Sequence, residues 1–135
     1  MNILIIDAQG GGIGKQAITA IKQNIPETVI TAVGTNTTAT SVMLKAGADY
    51  GATGENAVIV GARKADVIIG PIGIIVADSM FGEITPAMAK AIGQSDAKRI
   101  LIPVNHCDNI VVGIRNLSIK ELIDEVLLEL HKLEG

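Results

Sequence analysis

Short apolar runs and amphipathic segments alternate along this chain from end to end, and this alternation constrains its fold more than any other feature. Apolar runs rich in β-branched residues are typical of buried strands, and apolar residues at three- and four-residue spacing indicate helices. Helices between strands are the crossovers that a parallel sheet needs, so we expect a mostly parallel sheet covered on both faces. The pattern predicts strands at 2–7, 28–33, 66–70, 73–77, 99–104 and 110–113, and helices at 13–23, 38–46, 55–64, 86–95 and 119–134.

Residues at the ends of three predicted helices support their placement. Ser118 and Glu121 have the spacing of a capping box at the start of the last helix. Thr85 followed by Pro86 is typical of an N-cap and a first helical residue. Gly47 stands where the second helix would end.

The size and composition of the chain limit its organisation and its partners. At 135 residues and 14.0 kDa, we predict a single Rossmann-like three-layer α/β domain over residues 1–135. A net charge of −3 and only two aromatic residues argue against nucleic acid as a partner. The longest apolar run, Val67 to Ala77, is too short to cross a membrane. A single cysteine, Cys107, and an N-terminus without signal-peptide features predict a cytoplasmic protein.

The apolar share of 48% and the mean hydropathy of +0.44 are high for a chain of this size. Because small domains expose much of their surface, we interpret the excess as a subunit interface of a homo-oligomer, formed by apolar surface near Val67 to Met80. A sheet buried on both faces also raises the apolar content, and the two explanations are compatible.

A glycine-rich segment follows the first predicted strand and opens the first predicted helix: Asp7-Ala8-Gln9-Gly10-Gly11-Gly12-Ile13-Gly14-Lys15. Glycine permits a positive φ in a tight turn, and it lets a phosphate approach the first N–H groups of a helix. We therefore predict that the phosphates of a nucleotide lie at Gly10, Gly11, Gly12, Gly14 and Lys15. The alternative is that the Asp7 carboxylate accepts these N–H groups itself and that the glycines only make a turn.

Two phosphate-binding motifs match this segment only in part. A P-loop ends in Gly-Lys-Ser/Thr, which Gly14-Lys15 fits, but Gln9 replaces its first glycine and Gln16 replaces the magnesium-binding hydroxyl. The dinucleotide fingerprint Gly-x-Gly-x-x-Gly begins well at Gly10 and Gly12, but a lysine stands where the last glycine belongs. The P-loop mismatches argue against nucleoside triphosphate hydrolysis, and the match to the dinucleotide fingerprint is incomplete.

The turn resembles that of the short-chain dehydrogenases/reductases, Thr-Gly-x-x-x-Gly-x-Gly, in its second half, whereas Ala8 replaces the first glycine. The resemblance is confined to the start of the chain. It implies that the N–H groups of Gly12, Ile13 and Gly14 face a pyrophosphate with Lys15 nearby, and that NAD or NADP is the first cofactor to consider. The catalytic Tyr-x-x-x-Lys of that family is absent, so no dehydrogenase activity is implied.

The whole chain resembles an uncharacterised family of short bacterial proteins, typical of clostridia, that begin with Asp-x-Gln-Gly-Gly-Gly-Ile-Gly. Later segments of that family are matched here by Gly47-Ala48-Asp49, Gly82-Glu83-Ile84-Thr85-Pro86 and Ile102-Pro103-Val104-Asn105. The resemblance indicates membership of this family and brings no established activity with it.

Polar residues follow several predicted strands, where open parallel sheets bind their ligands. We place Thr35 and Asn36 near a ribose, although dinucleotide sites usually have an acidic residue there, and N-capping of the next helix is the alternative. Gly70 and Pro71 form a predicted turn at the crevice, and Asn105 lies at the end of a later strand.

Other polar residues near the predicted crevice have less specific roles. His106 and Cys107 are interpreted as loop residues, because adjacent side chains of an extended chain point apart and no second ligand cluster accompanies them. Two interpretations are open for the segment that contains Asp78, Ser79, Glu83 and Thr85: it brings a carboxylate near the crevice, or Asp78 only caps a turn and Glu83 lies in solvent. Residues 53–56 are a hypothetical lid.

These features predict a nucleotide- or dinucleotide-binding protein, with NAD or NADP as the first candidate. The predicted site comprises Asp7, Gln9, Gly10, Gly11, Gly12, Ile13, Gly14, Lys15, Thr35, Asn36, Gly70, Pro71 and Asn105, and no resident metal. The competing hypothesis is a non-catalytic regulatory or scaffold homo-oligomer whose glycine loop is only a structural turn. A hydrolase or transferase that acts through Asp7 and Lys15 with a divalent metal is a third possibility, so whether the protein is an enzyme stays open.

Overall fold

A computed structural model of the protein describes residues 1–104 and 108–134. Within these residues it contains a five-stranded sheet with the order β3-β2-β1-β4-β5, in which every neighbouring pair is parallel. The strands are β1 Asn2–Asp7, β2 Val29–Gly34, β3 Tyr50–Thr53, β4 Val67–Pro71 and β5 Lys98–Ile102. The α-helices are α1 Gly12–Asn24, α2 Thr37–Lys45, α3 Glu55–Lys64, α4 Pro86–Gln94 and α5 Ile119–Glu134. The predicted three-layer Rossmann-like α/β fold is confirmed.

Both faces of the sheet are covered by helices. Ile3 and Ile5 of β1 pack with residues of α1, α2 and α5, and Leu4 and Ile6 pack with residues of α3 and α4. Successive side chains of a strand point to opposite faces, so a strand covered on both sides must be apolar throughout. This burial accounts for part of the high apolar content. In the described part of the chain, none of the helices combines the length and apolar character that crossing a membrane requires.

The segment Val67 to Met80, near which we expected a subunit interface, begins with a buried strand. All of β4 is buried, because this strand is central in the sheet and has helices on both sides. Large exposed apolar side chains occur instead in the segments that follow β4 and β5, where Phe81, Ile110 and Val112 are 97%, 92% and 93% exposed. Phe81 directly follows Met80, so exposed apolar surface lies at the end of the predicted segment, and the subunit interface itself stays a prediction.

The predicted and observed strands differ at three places in the chain. β3 was missed, because the short sequence Tyr-Gly-Ala-Thr has little strand character and pairs only through its register with β2. The predicted strand 73–77 is wrong, because β4 ends at Pro71 and the chain turns into a 3-10 helix, Ile72–Ile75. The predicted strand 110–113 is also wrong: its residues are irregular or in turns, since β-propensity without a partner strand forms no ladder.

The predicted helix ends are confirmed. The Ser118 N–H donates to Glu121 Oε1 at 3.0 Å, and the Glu121 N–H donates to Ser118 Oγ at 3.2 Å, which completes the capping box. Thr85 accepts from the Met88 N–H at 3.2 Å and caps α4. Gly47 has a φ of 121° just beyond α2.

The order of the strands creates a crevice at the carboxyl edge of the sheet. From β1 the chain moves outward to β2 and β3, and it then returns to the other side of β1 to form β4 and β5. Connections therefore leave β1 and β4 in opposite directions, and open α/β sheets bind ligands at such a switch point. The glycine-rich turn follows β1 and residues 72–85 follow β4, so both segments border the crevice.

Candidate functional site

The Asp7 carboxylate organises the glycine-rich turn from the end of β1. Asp7 Oδ1 accepts the Ala8 N–H and Oδ2 accepts the Gly14 N–H, each at 2.8 Å. Burial of this side chain, which is 3% exposed, raises the pKa of Asp7 above 3.8, although hydrogen bonds from the N–H groups of Gly14, Ala8 and Ile13 oppose the shift. Asp7 is thus a buttress of the turn. The Gly14 N–H, which the resemblance to the dehydrogenases places at a pyrophosphate, is bonded to this carboxylate instead.

Two glycines of the turn are required by the packing of α1 against α2. Gly11 has a φ of 73°, and a Cβ there would lie 3.0 Å from the backbone of Ala39. A Cβ on Gly14 would collide with the side chain of Met43, which is fully buried. A side chain at either position would push the two helices apart, so the fold itself explains these glycines.

Gly10 and Gly12 have no such explanation in the fold. Both are exposed, neither has a positive φ, and a Cβ at either position would meet no atom of the described residues within 4 Å. Their N–H groups have no hydrogen-bond partner among the described residues. Gly12 is the first residue of α1, where the N–H groups of a helix are left without intrahelical partners. The turn therefore has two N–H groups without partners, each at a residue where the fold leaves room for a side chain that glycine lacks.

A carboxylate from the segment after β4 reaches the ends of β1 and β2. Glu83 Oε1 accepts from Thr35 Oγ1 at 2.6 Å, from the Gln9 N–H at 2.9 Å and from Asn36 Nδ2 at 2.9 Å. These hydrogen bonds, with that from Thr35 the strongest influence, outweigh partial burial and lower the pKa of Glu83. The ionised Glu83 in turn contributes to the raised pKa of Asp7. Two carboxylates thus border the crevice.

Asn36 connects the ends of β1 and β2. Its Oδ1 accepts the Ala39 N–H at 2.8 Å and caps α2, so the capping role is confirmed. Its Nδ2 also donates to the Gln9 carbonyl at 3.0 Å, beside the bond to Glu83. The Thr35 N–H donates to the Asp7 carbonyl at 3.1 Å. The structure therefore brings the predicted residues Gln9, Thr35 and Asn36 together.

A compact loop holds Glu83 in place. Asp78, Met80 and Phe81 adopt φ values of 66°, 53° and 57°, a region that non-glycine residues rarely adopt. The Asp78 N–H donates to the carbonyl of Ile84 at 2.7 Å, and Ile84 is fully buried next to Glu83 in the chain. Sequence patterns left Glu83 either near the crevice or in solvent, and only the path of this loop decides between them.

A family model described as a domain of unknown function, DUF3842, matches residues 2–134 of this chain. The chain belongs to the DUF3842 family. Among solved structures, it is similar to a dodecameric FMN-dependent UbiX-like decarboxylase from Escherichia coli O157:H7, with 16% identity and a TM-score of 0.49 over 99% of this chain and 76% of the other. At this level the similarity does not bear on the ligand or assembly of the DUF3842 protein. No curated protein matches it by sequence.

Other predicted site residues of this DUF3842 chain lie outside the cluster. Gly70 and Pro71, expected in a turn at the crevice, are the last two residues of β4 and are buried, and the chain turns into the 3-10 helix directly after them. Their predicted role in the site stays a prediction. A Cβ on Gly70 would lie 2.5 Å from the Ile6 carbonyl oxygen, so the close approach of β4 to β1 explains this glycine. Lys15 is exposed on α1. Asn105, together with its neighbours His106 and Cys107, lies outside the described residues, and its predicted role stays a prediction.

The segment predicted as a lid belongs mainly to regular structure. Thr53 ends β3 and Glu55 begins α3. The Gly54 N–H donates to the Gly34 carbonyl at 2.9 Å, and Thr85 donates to Glu55 Oε1 at 2.6 Å. These contacts tie residues 53–56 to β2 and to the start of α4.

The two residues of the metal-dependent hypothesis are Asp7 and Lys15. Both oxygens of Asp7 accept N–H groups, and Lys15 forms no ion pair with the residues that the structure describes. Across residues 1–104 and 108–134, histidine, cysteine and acidic side chains form no group of three that could hold a metal ion.

Proposed function

We propose that this DUF3842 protein binds a nucleotide, with a phosphate group held by the N–H groups of Gly10 and Gly12 at the start of α1. The proposal rests on the observation that the fold does not require glycine at either position. Neither the φ angles nor the packing requires glycine there, in contrast to Gly11 and Gly14. A ligand that approaches the backbone closely supplies the missing reason, because any side chain would stand in its way.

The charges around the start of α1 limit which phosphate groups can bind there. The start of the 13-residue helix α1 favours an anion through its dipole, equivalent to roughly half a unit charge. Asp7 and Glu83 oppose it, and repulsion increases with the charge of the ligand. A terminal phosphate monoester carries about 1.5 to 2 negative charges near neutral pH, whereas each phosphate of a dinucleotide pyrophosphate has one ester and one anhydride bond and carries about one. This difference favours a dinucleotide without a further phosphate monoester, and NAD is therefore the first candidate.

The raised pKa of Asp7 couples ligand binding to protonation. An anion at Gly12 would raise this pKa further, so binding would be accompanied by proton uptake. Affinity for the nucleotide should therefore increase as the pH falls towards the pKa of Asp7. Lys15 lies three residues after Gly12 on the same helix, within reach of the same face.

A thermal-shift experiment with a matched control tests the proposal. Gly12→Val places a side chain over the open N–H groups, and Gly93→Val makes the same change at an exposed position of α4 where a Cβ also meets nothing within 4 Å. NAD, NADP, ADP and FMN are added to each protein. A ligand at 100 times its Kd should add about 2.7 kcal/mol of stability to the wild type and to Gly93→Val, but not to Gly12→Val. No shift with any ligand, or equal shifts in all three proteins, would refute it.

Exposed apolar side chains favour a second candidate, a homo-oligomeric scaffold. Phe81 and Val112 lie in segments that follow the adjacent strands β4 and β5 at one edge of the sheet, and both are almost fully exposed. Apolar side chains of this size gain about 1.5 to 3 kcal/mol each when a partner buries them. A second copy seated there would also add a wall to the crevice, so the two candidates are compatible.

A further inference from the structure

We propose that Glu83 recognises the ribose of the bound nucleotide, accepting a hydrogen bond from its 2′-hydroxyl through Oε2. The assignment rests on the proposed nucleotide-binding function and names the class of ligand: nucleotides with a free ribose diol, to the exclusion of 2′-phosphorylated ones. It concerns a residue that the sequence pattern did not connect with the ribose.

The position of the carboxylate supports the assignment. Dinucleotide sites usually take the ribose with an acidic residue at the end of the second strand. Here β2 ends at Gly34 and is followed by Thr35 and Asn36, which are neutral. Glu83 is not part of β2, yet its carboxylate lies within hydrogen-bond distance of both Thr35 and Asn36. The acidic group is therefore present at the expected place but comes from the loop after β4.

The hydrogen bonds of Glu83 are all on one oxygen. Oε1 accepts the three donors, and Oε2 has no partner in the part of the chain that the structure describes. The three anchors set the direction in which Oε2 faces, so a hydroxyl binds without further ordering of this side chain. A carboxylate is an acceptor only, and it suits the O–H groups of a diol.

The order of the proposed contacts along the turn also agrees with a nucleotide. One anchor of Glu83 is the N–H of Gln9, the residue directly before Gly10. Ribose and phosphate are covalently adjacent in a nucleotide, and their proposed contacts are adjacent in the turn. An ionised carboxylate at this point repels a 2′-phosphate, which carries about 1.5 to 2 negative charges. The same atom that attracts a hydroxyl thus excludes the phosphorylated form.

Glu83→Gln tests the assignment with little change of shape. The amide keeps an acceptor oxygen for Thr35, Gln9 and Asn36, but it replaces the free oxygen by an NH2 donor. Calorimetry gives the Kd of ADP, 2′-deoxy-ADP, NAD and NADP for the wild type, for Glu83→Gln and for the control Glu27→Gln, an exposed residue before β2 at the opposite edge of the sheet. Thermal unfolding checks that each variant is folded.

The wild type and Glu27→Gln should bind ADP roughly 10- to 100-fold more tightly than 2′-deoxy-ADP, the range for a hydrogen bond to a charged group. They should also prefer NAD to NADP. Glu83→Gln should lose both preferences. Glu83→Asp, which keeps the charge on a shorter side chain, should lose the first preference and retain much of the second.

Three results would overturn the assignment. Unchanged preferences in Glu83→Gln would mean that Glu83 only ties its loop to the strand ends. Tighter binding of every nucleotide by this variant would mean that the carboxylate occupies the place of the phosphate. Failure of the wild type to bind any nucleotide would refute the proposed function as well. If Gly12→Val abolishes nucleotide binding but the preferences do not depend on Glu83, only the assignment of Glu83 is overturned.

Discussion

Alanine at two glycines of the same turn should change stability in opposite directions. Gly12 has a helical backbone, and a Cβ there meets no atom within 4 Å. Gly12→Ala removes conformational freedom from the unfolded chain without strain in the folded one, which stabilises by about 0.4–1 kcal/mol. For a domain of this size we expect the Tm to rise by roughly 1–4 °C.

Gly14→Ala should destabilise the protein, although the chemical change is the same. The new Cβ would collide with the sulfur of Met43 and lie 3.2 Å from Cβ of Asp7. Met43 is fully buried and has to move within the core, which costs about 1–3 kcal/mol. The helix propensity of alanine offsets about 1 kcal/mol of this cost. Strain on the hydrogen bond from Gly14 to Asp7 adds to it, and the expected net loss is about 1–2 kcal/mol.

Urea unfolding of both variants measures these changes, with unchanged m-values as the check that only stability has altered. Equal stabilisation by both substitutions would refute the packing account of Gly14. Destabilisation by Gly12→Ala would have a wider consequence. It would show that the fold requires glycine at this position, and the observation that carries the nucleotide proposal would be lost.

Three further perturbations test the turn, the strand ends and the exposed surface. Asp7→Asn should cost about 1–3 kcal/mol, because an amide cannot accept both N–H groups that Asp7 accepts. Because the pKa of Asp7 is higher in the folded than in the unfolded state, the wild type loses stability relative to Asp7→Asn as the pH rises from 3.8 through the raised pKa. Urea unfolding across this pH range should therefore show a shrinking difference in the free energy of unfolding between the two proteins. A difference that grows with pH would contradict the raised pKa. Gly34→Ala should lower the free energy of unfolding by about 3 kcal/mol in the same assay, because its Cβ would lie 2.5 Å from the backbone nitrogen of Thr40. A loss below about 1 kcal/mol would show that the backbone at the end of β2 moves to accommodate the side chain. Native mass spectrometry should show smaller assemblies for the double variant Phe81→Ser, Val112→Ser than for the wild type, whereas a monomeric wild type would exclude the scaffold.

The exposed surface has its own control. Leu128 is an exposed apolar residue inside the regular helix α5, with 60% of its surface exposed, and it belongs to neither segment of the proposed interface, so Leu128→Ser should leave the assembly unchanged. Equal dissociation by this variant would indicate a general effect of surface polarity and would contradict an interface at Phe81 and Val112.

Local patterns identified the elements whose signals act between neighbours in the chain. The capping box of Ser118 and Glu121 and the N-cap at Thr85 involve residues three positions apart, and both formed as predicted. β3 escaped prediction because its four exposed residues carry no local strand signal, and only the edge of β2 makes them a strand. The opposite error at 110–113 has the same cause, because apolar β-branched residues form a strand only where a partner is present.

The amino-acid sequence by itself determined the parallel α/β class and the place of the glycine-rich turn between β1 and α1. These follow from the periodicity of apolar residues and from the backbone freedom of glycine, which are properties of short segments. Only the tertiary structure decided which glycines the packing needs and which are open. It alone placed Glu83 beside Thr35, a residue 48 positions away, because the path of the loop after β4 depends on the burial of Ile84 in a core built by the whole chain.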